Sequence, residues 1–172
     1  MTEVQTQIRH LRADDVDRVL RFFAALGPDS RTTFAPHAFD QENAERICRT
    51  SDGVDNVRLV AVEDDEIVGY CYFESRDLHY PTVGLGIADH AQNRGLGQRL
   101  MAALIAEARR LGKPGLDLTV WKTNPRAQRV YTKAGYRFTG ETPNGVEFTM
   151  RLDLGEPSPR RECARRPGSR RT

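Results

Sequence analysis

The sequence is short of cysteine, tryptophan and methionine, with three, one and three among 172 residues, and it contains no long hydrophobic run. Cys48, Cys71 and Cys163 form no C-x-x-C pair and leave an odd count. That argues against a disulfide framework or a zinc knuckle, and no metal site is expected. No apolar stretch approaches the roughly 20 residues that span a bilayer. The opening MTEVQTQIRH lacks the apolar core that a secretory signal needs. These absences imply a soluble, reducing, cytoplasmic setting with no membrane partner. A charge excess is missing too, since 26 basic and 24 acidic side chains leave a net +2. A hydrophobic fraction of 38% with 14 Gly and 9 Pro excludes collagen-like and wholly disordered chains. The length suits one domain and a short appendage.

The small net charge hides an asymmetry. From Pro157 to Thr172 six arginines face only Glu162, a local balance of +5, so the remainder of the chain stands at −3. This end has almost no large apolar residue, too few to offset the entropy of ordering it. Residues 1–155 therefore read as the domain and 156–172 as an Arg/Pro-rich disordered tail. The acidic remainder offers no basic face, and no nucleic-acid partner is expected.

Within the domain the hydrophobic period alternates. Residues 4–9 read as a strand. Asp14 and Asp15 are placed to cap a helix whose apolar face is Val16, Val19, Leu20, Phe23 and Leu26, stopped by Gly27-Pro28. SRTTFAPHAF (30–39) reads as a loop and about 40–49 as a second helix. Val57–Val62 and Ile67–Phe73 flank the acidic turn 63–66 as a hairpin. A strand at Val83–Ala88 leads into a helix carrying Leu96, Leu100, Met101, Leu104, Ile105, Ala108 and Leu111 at three- and four-residue steps. Leu116–Trp121 is a buried strand, Asn124–Lys133 a short helix, and 136–141 with 146–153 a closing hairpin. Strands and helices in this order pack as one α/β domain with a mixed sheet.

Two segments carry chemistry. Gln92-Asn93-Arg94-Gly95-Leu96-Gly97 joins a strand to a helix. Glycines there permit positive φ and a close backbone approach. The first helical turn then offers unpaired N–H groups and a positive dipole end, a built-in site for a pyrophosphate, to which Arg94 can add a charge-assisted contact. Taken alone, a G-x-G is a plain turn opening a core helix; it is neither a Walker loop nor a full dinucleotide fingerprint, since Leu100 stands where a third glycine would be. The second segment runs from Asn124, a helix cap with Pro125 at the first helical position, through Ala127, Val130 and Tyr131 to the stop at Gly135. Taken alone, Tyr131 is a half-buried core aromatic.

The order strand, Q-x-x-G-x-G, helix, strand, N-x-x-A-x-x-x-Y-x-K-x-G-Y resembles the GCN5-related N-acetyltransferase (GNAT) superfamily, most densely over residues 83–137 and loosely over 4–154. The resemblance implies a single domain with a mixed, mostly antiparallel sheet of about six to seven strands flanked by about four helices. It implies that backbone amides of the Gln92, Asn93, Arg94, Gly95, Leu96, Gly97, Gln98 loop bind the pyrophosphate of acetyl-CoA. It also implies that Leu85, Gly86 and Ile87 pair with the pantetheine arm, one amide polarising the thioester carbonyl. Asn124 would contact the cofactor, and Tyr131 would stand beside the sulfur as general acid to the departing thiolate. A neutral primary amine attacks the thioester directly. A thiol of pKa ~8.5 and a tyrosine of ~10 are close enough for that proton transfer, typically worth about 10²–10⁴ in rate.

The sequence departs from the superfamily at the general base, because Pro81 and Thr119 occupy neighbourhoods where some members carry Glu. Glu74, His79 and Asp117 are the nearby candidates. The acceptor pocket falls to Phe34, His37, Phe39, Glu74, His79, Tyr80 and Trp121, although aromatics in the 30–39 loop also read as a lid packed on the core. The expected activity is acetyl transfer to a primary amine of a small molecule. Alternatives are a protein N-terminal or lysine acetyltransferase, and a non-catalytic CoA-binding regulatory module. Many relatives dimerise, so a homodimer is admitted.

Overall fold

The computed structural model describes residues 5–34, 36–75 and 79–155. The Arg/Pro-rich tail and Cys163 lie outside the described residues. Seven strands form one sheet in the order β1-β2-β3-β4-β5-β7-β6. In chain order, β1 (Gln7–His10) leads to α1 (Val16–Ala24), α2 (Pro28–Thr33) and α3 (Gln41–Arg49). The hairpin of β2 (Asn56–Glu63) and β3 (Glu66–Glu74) follows, then β4 (Thr82–Ile87), α4 (Leu96–Arg110), β5 (Gly115–Trp121), α5 (Pro125–Lys133), β6 (Arg137–Glu141) and β7 (Glu147–Asp153). Every pairing is antiparallel except β4 with β5. No helix among the described residues is long and apolar enough to cross a membrane.

The two-residue period of β3 divides the core. Its odd positions face α4: the Cys71 thiol donates to the Leu100 carbonyl at 3.6 Å, and Gly69 lies under the Leu100 side chain. Its even positions face α1 and α2, where Tyr70 meets Phe22 and Phe34 edge-on, with centroids at 6.3 and 6.1 Å. The apolar stripe expected on α4 is buried from Leu96 to Ala108; each large side chain so enclosed contributes about 1.5–3 kcal/mol. Asp64 and Asp65 adopt positive φ between β2 and β3, the geometry a tight hairpin turn requires.

Two local expectations are corrected. The stretch read as a loop from residue 30 begins as helix α2. Pro28 stops α1 but also starts the next helix at its first position, where a preset φ and a missing N–H cost nothing. Asp15 does not cap α1 with its side chain. It is fully buried and accepts two bonds from Arg9, at 2.6 and 2.8 Å, and one from the Arg12 amide at 2.9 Å. Burial alone would raise its pKa, but these donors outweigh it and hold the carboxyl below its ordinary value.

Candidate active site

The parallel pair β4–β5 touches at one register position, Thr82 opposite Asp117, where the Asp117 amide donates to the Pro81 carbonyl at 2.9 Å. Beyond that point the strands part. A strand edge left unpaired exposes N–H and C=O groups that need partners. A cleft of about 160 Å³ opens in the fork, lined by Leu85, Gly86 and Ile87 of β4, by Gln92, Asn93 and Gly95–Gln98, and by Asn124, Val130 and Tyr131 of the α5 segment.

The loop that begins α4 owes its shape to two left-handed residues, Asn93 at φ 62° and Gly95 at φ 77°. Asparagine tolerates that region better than most side chains, and glycine has no Cβ to clash. Gly95 occupies the cap position and supplies no capping side chain, and no acidic residue stands in the first turn. The first amides of α4 therefore keep no protein partner from a cap, and the positive dipole end is not neutralised. Turns of this kind form anion-binding concavities.

Neighbouring side chains fix this loop. The Gln92 amide donates to the Ile87 carbonyl and the Ser30 hydroxyl, both at 3.1 Å, and its oxygen accepts from Arg126. Gln98 donates to the Val130 carbonyl at 3.0 Å, tying α4 to α5. Asn124 caps α5 by accepting from the Ala127 amide at 3.1 Å. Arg94 turns away: its guanidinium donates twice to Glu63, at 2.9 and 3.0 Å.

Tyr131 reaches the cleft from α5 and is 6% exposed. Burial raises its hydroxyl well above the ordinary tyrosine pKa, so the phenol stays protonated and can only enter a reaction as a donor. Across the fork, the face of β4 on the α1–α2 side carries no side chain at Gly84 or Gly86. A Cβ on Gly84 would lie 2.3 Å from the Tyr72 ring, and one on Gly86 would lie 2.6 Å from Phe34. These aromatic rings lie directly on the strand's backbone.

The remaining expected site residues stand apart from this cleft. Glu74 accepts from Arg58 at 2.9 Å. Asp117 accepts twice from Arg151, each at 2.7 Å. The exposed His79 packs edge-on against Tyr80 at 4.8 Å, and Tyr80 lies under the Arg151 guanidinium at 4.0 Å. His37 packs against Phe23 and Phe39 at 5.5 and 6.1 Å. Of the acceptor-side candidates, only Phe34 lines the cleft itself.

Sequence reasoning missed three contributors. Arg126 borders both the cleft and a more polar recess that continues from it past Ser30, Thr33 and Asn124, and among the described residues it has no carboxylate partner. Tyr72 covers Gly84. The alternating glycines of Val83-Gly84-Leu85-Gly86 were the readable signal, since residues two apart share one strand face. Arg58, a single charge inside the apolar run Val57–Val62, is the third.

The sequence profile of the Acetyltransferase (GNAT) family matches residues 19–136. The L-methionine sulfoximine/L-methionine sulfone acetyltransferase of Salmonella typhimurium is 34% identical over 102 residues, 56% of this chain and 60% of that protein. The match therefore spans less than two thirds of that relative. The L-amino acid N-acetyltransferase AaaT of Escherichia coli is 27% identical over 84% of this chain and 88% of its own. Among solved structures, the GNAT domain of S. lividans PAT superposes with a TM-score of 0.79 at 21% identity, covering 87% of this chain and 90% of that one. YncA from Salmonella typhimurium, solved with acetyl-CoA, gives 0.74 at 23% identity, covering 90% and 98%. The matched span holds the forked strands, the uncapped helix start and the tyrosine helix together, and the chain belongs to the GNAT acetyltransferase family.

Proposed function

We propose that this protein transfers the acetyl group of acetyl-CoA to the primary amine of a small molecule, an amino acid being the acceptor class its curated relatives are named for. The observation that carries the reading is that one cleft is lined by the uncapped start of α4, by Leu85, Gly86 and Ile87 of β4 and by Tyr131. A diphosphate suits the first, an amide-bearing pantetheine arm the second, and a departing thiolate the third. Arg126 and the polar recess beside it suit the phosphorylated nucleotide end. The two described cysteines are free and buried, which accords with a cytoplasmic enzyme.

In this mechanism the neutral amine attacks the thioester carbonyl carbon. The C–N bond forms, the C–S bond breaks, and the nitrogen sheds a proton to solvent. A β4 amide directed at the carbonyl oxygen stabilises the developing oxyanion, worth roughly 3 kcal/mol. Tyr131 donates to the leaving sulfur. Helix α2 with Phe34 and Phe39, the rings stacked at 6.4 Å, covers the acceptor side of β4, which favours a small acceptor over a peptide needing an open groove.

The test is a panel of free amino acids, amino sugars, other small amines and peptides incubated with acetyl-CoA, reading thiol release. Turnover on small amines and none on peptides is expected. Peptide turnover with inert small amines overturns the acceptor assignment, and binding of acetyl-CoA without turnover on anything overturns the enzyme.

A further inference from the structure

Among the described residues, the buried side-chain nitrogens and oxygens without a hydrogen-bond partner number three, and they belong to two residues: Arg58 Nε, Arg58 Nη1 and His37 Nε2. Native proteins pair almost all such groups, so each exception calls for a physical reason. These three share one neighbourhood. Arg58 and Glu74 both act electrostatically on His37, and Arg58 acts on Tyr70, whose ring stacks on Tyr72 at 5.5 Å.

Arg58 is 1% exposed, and a guanidinium has five N–H bonds. Among the described residues its carboxylate partner is Glu74, which accepts from Nη2 at 2.9 Å, and the guanidinium also donates to the Tyr70 hydroxyl. A guanidinium kept only for an internal ion pair would be surrounded by acceptors, because an unpaired charge-bearing donor in a dry interior is costly. Here the carboxylate of Glu74 orients the group and leaves most of the fork uncommitted. The Glu74 side chain keeps 16% exposure, so the pair reaches the surface on its carboxylate side.

Sheet register places Arg58 on the strand face that runs to the cleft-bordering part of β4. Arg58 stands opposite Tyr72, and Tyr72 opposite Gly84. Even-numbered positions of β2, β3 and β4 share the face covered by α1 and α2. Two strand spacings, roughly 10 Å, therefore separate the Arg58 backbone from the β4 segment that borders the cleft. A long arginine side chain and the short carboxylate-to-amine reach of an amino acid fill such a gap. The walls between are aromatic, from Phe34, Tyr70 and Tyr72. His37 adds a complementary atom. Its Nδ1 lies 2.9 Å from the Ala38 carbonyl, which can only accept, so the ring hydrogen is on Nδ1 and Nε2 presents a lone pair. This neighbourhood thus holds unpaired N–H donors on a cation and one unpaired acceptor.

We propose that Arg58 anchors the carboxylate of the acceptor, so that the substrate is an amino acid with a free carboxylate beside the amine that is acetylated. The inference rests on the acetyltransferase reading and specifies its acceptor. A site built to bind a charged group rejects the analogue lacking it far more strongly than an apolar pocket rejects a missing methylene.

The test compares L-methionine, L-methioninamide and 3-(methylthio)propylamine as acceptors for the full chain at saturating acetyl-CoA, measuring kcat/KM by thiol release. If L-methionine is inert, the same three-way series is run on the best amino acid of the panel. The acid is expected to exceed both carboxylate-free analogues by about a hundredfold. In Arg58→Lys, which keeps the charge and loses the fork, the preference falls at least tenfold, mainly through KM, with acetyl-CoA affinity unchanged by calorimetry. Equal use of acid and amide by the native protein overturns the anchor without recourse to any variant. Preference for the carboxylate that survives in Arg58→Lys and in Arg58→Met, both folded by circular dichroism, assigns it elsewhere and also overturns the proposal. Failure to acetylate any amine overturns the parent reading and the anchor with it.

Discussion

The two walls of the cleft are built on opposite principles. On the α4–α5 side the border is main-chain: two left-handed residues, an uncapped helix start and a strand edge unpaired beyond Thr82 line the cleft. Its side chains, Gln92, Gln98 and Asn124, bond to backbone and hold the amides in place. On the α1–α2 side, side chains dominate: aromatic rings lie on two bare glycines, and two strands away from β4 the buried guanidinium of Arg58 keeps unpaired donors. A diphosphate thioester that never changes suits the first wall. An acceptor that differs between relatives suits the second, since side chains can be exchanged without disturbing the backbone that holds the donor.

Four substitutions sharpen or break this division. Tyr131→Phe carries the largest effect, with kcat lowered about 100-fold or more while acetyl-CoA affinity stays within a factor of two or three; a direct thiol-release assay with saturating cofactor checks it, and unchanged turnover removes the hydroxyl from the reaction. Asp15→Asn touches neither wall. It leaves Arg9 facing a neutral side chain in a dry site, so about 3 kcal/mol of stability is lost in a denaturant titration, with KM for both substrates retained at temperatures where the variant is folded. Arg126→Ala should weaken acetyl-CoA binding about tenfold and flatten its salt dependence, because an exposed cation acts through a screened field; the acceptor KM should not move. Gly84→Ala pushes its methyl into the Tyr72 ring, raising the acceptor KM severalfold and costing about 1–3 kcal/mol, with cofactor affinity retained. If Gly84→Ala disturbed the cofactor alone, the two walls would not be separable.

Acid stability follows from carboxylates held by backbone and side-chain donors, Asp52 in an exposed turn and Asp15 in the interior. Burial opposes ionisation of Asp52, but the amides of Val54, Asp55 and Asn56 more than compensate and hold its carboxyl at about 2; Asp15 is likewise lowered by Arg9 and Arg12. A carboxyl with a depressed folded pKa stabilises fully above its unfolded value, near 4, and loses that contribution as pH falls. The midpoint of thermal unfolding is therefore expected to be flat from pH 7 to 5 and to drop between about 4 and 2. In Asp15→Asn the drop should be shallower.

What was legible in the sequence was local. The α4 stripe, the acidic hairpin turn, Asn124 before Pro125 and the glycine loop each announce themselves within a few residues, because periodicity, capping and positive φ are short-range properties. The second role of Pro28 was less so, since the same residue ends one helix and begins another. Asp15 was misjudged for a different reason: a charged side chain takes its nearest partner in space, and Arg9 comes from another element.

By itself the sequence determined the shape of the loop that opens α4, because positive φ at glycine and asparagine and an uncapped helix start depend on neighbours along the chain. Only the tertiary structure decided what surrounds Arg58. Arg58, His37, Glu74 and Phe34 lie on different elements, and whether a buried cation is satisfied or left waiting depends on which side chains the sheet register brings to its face.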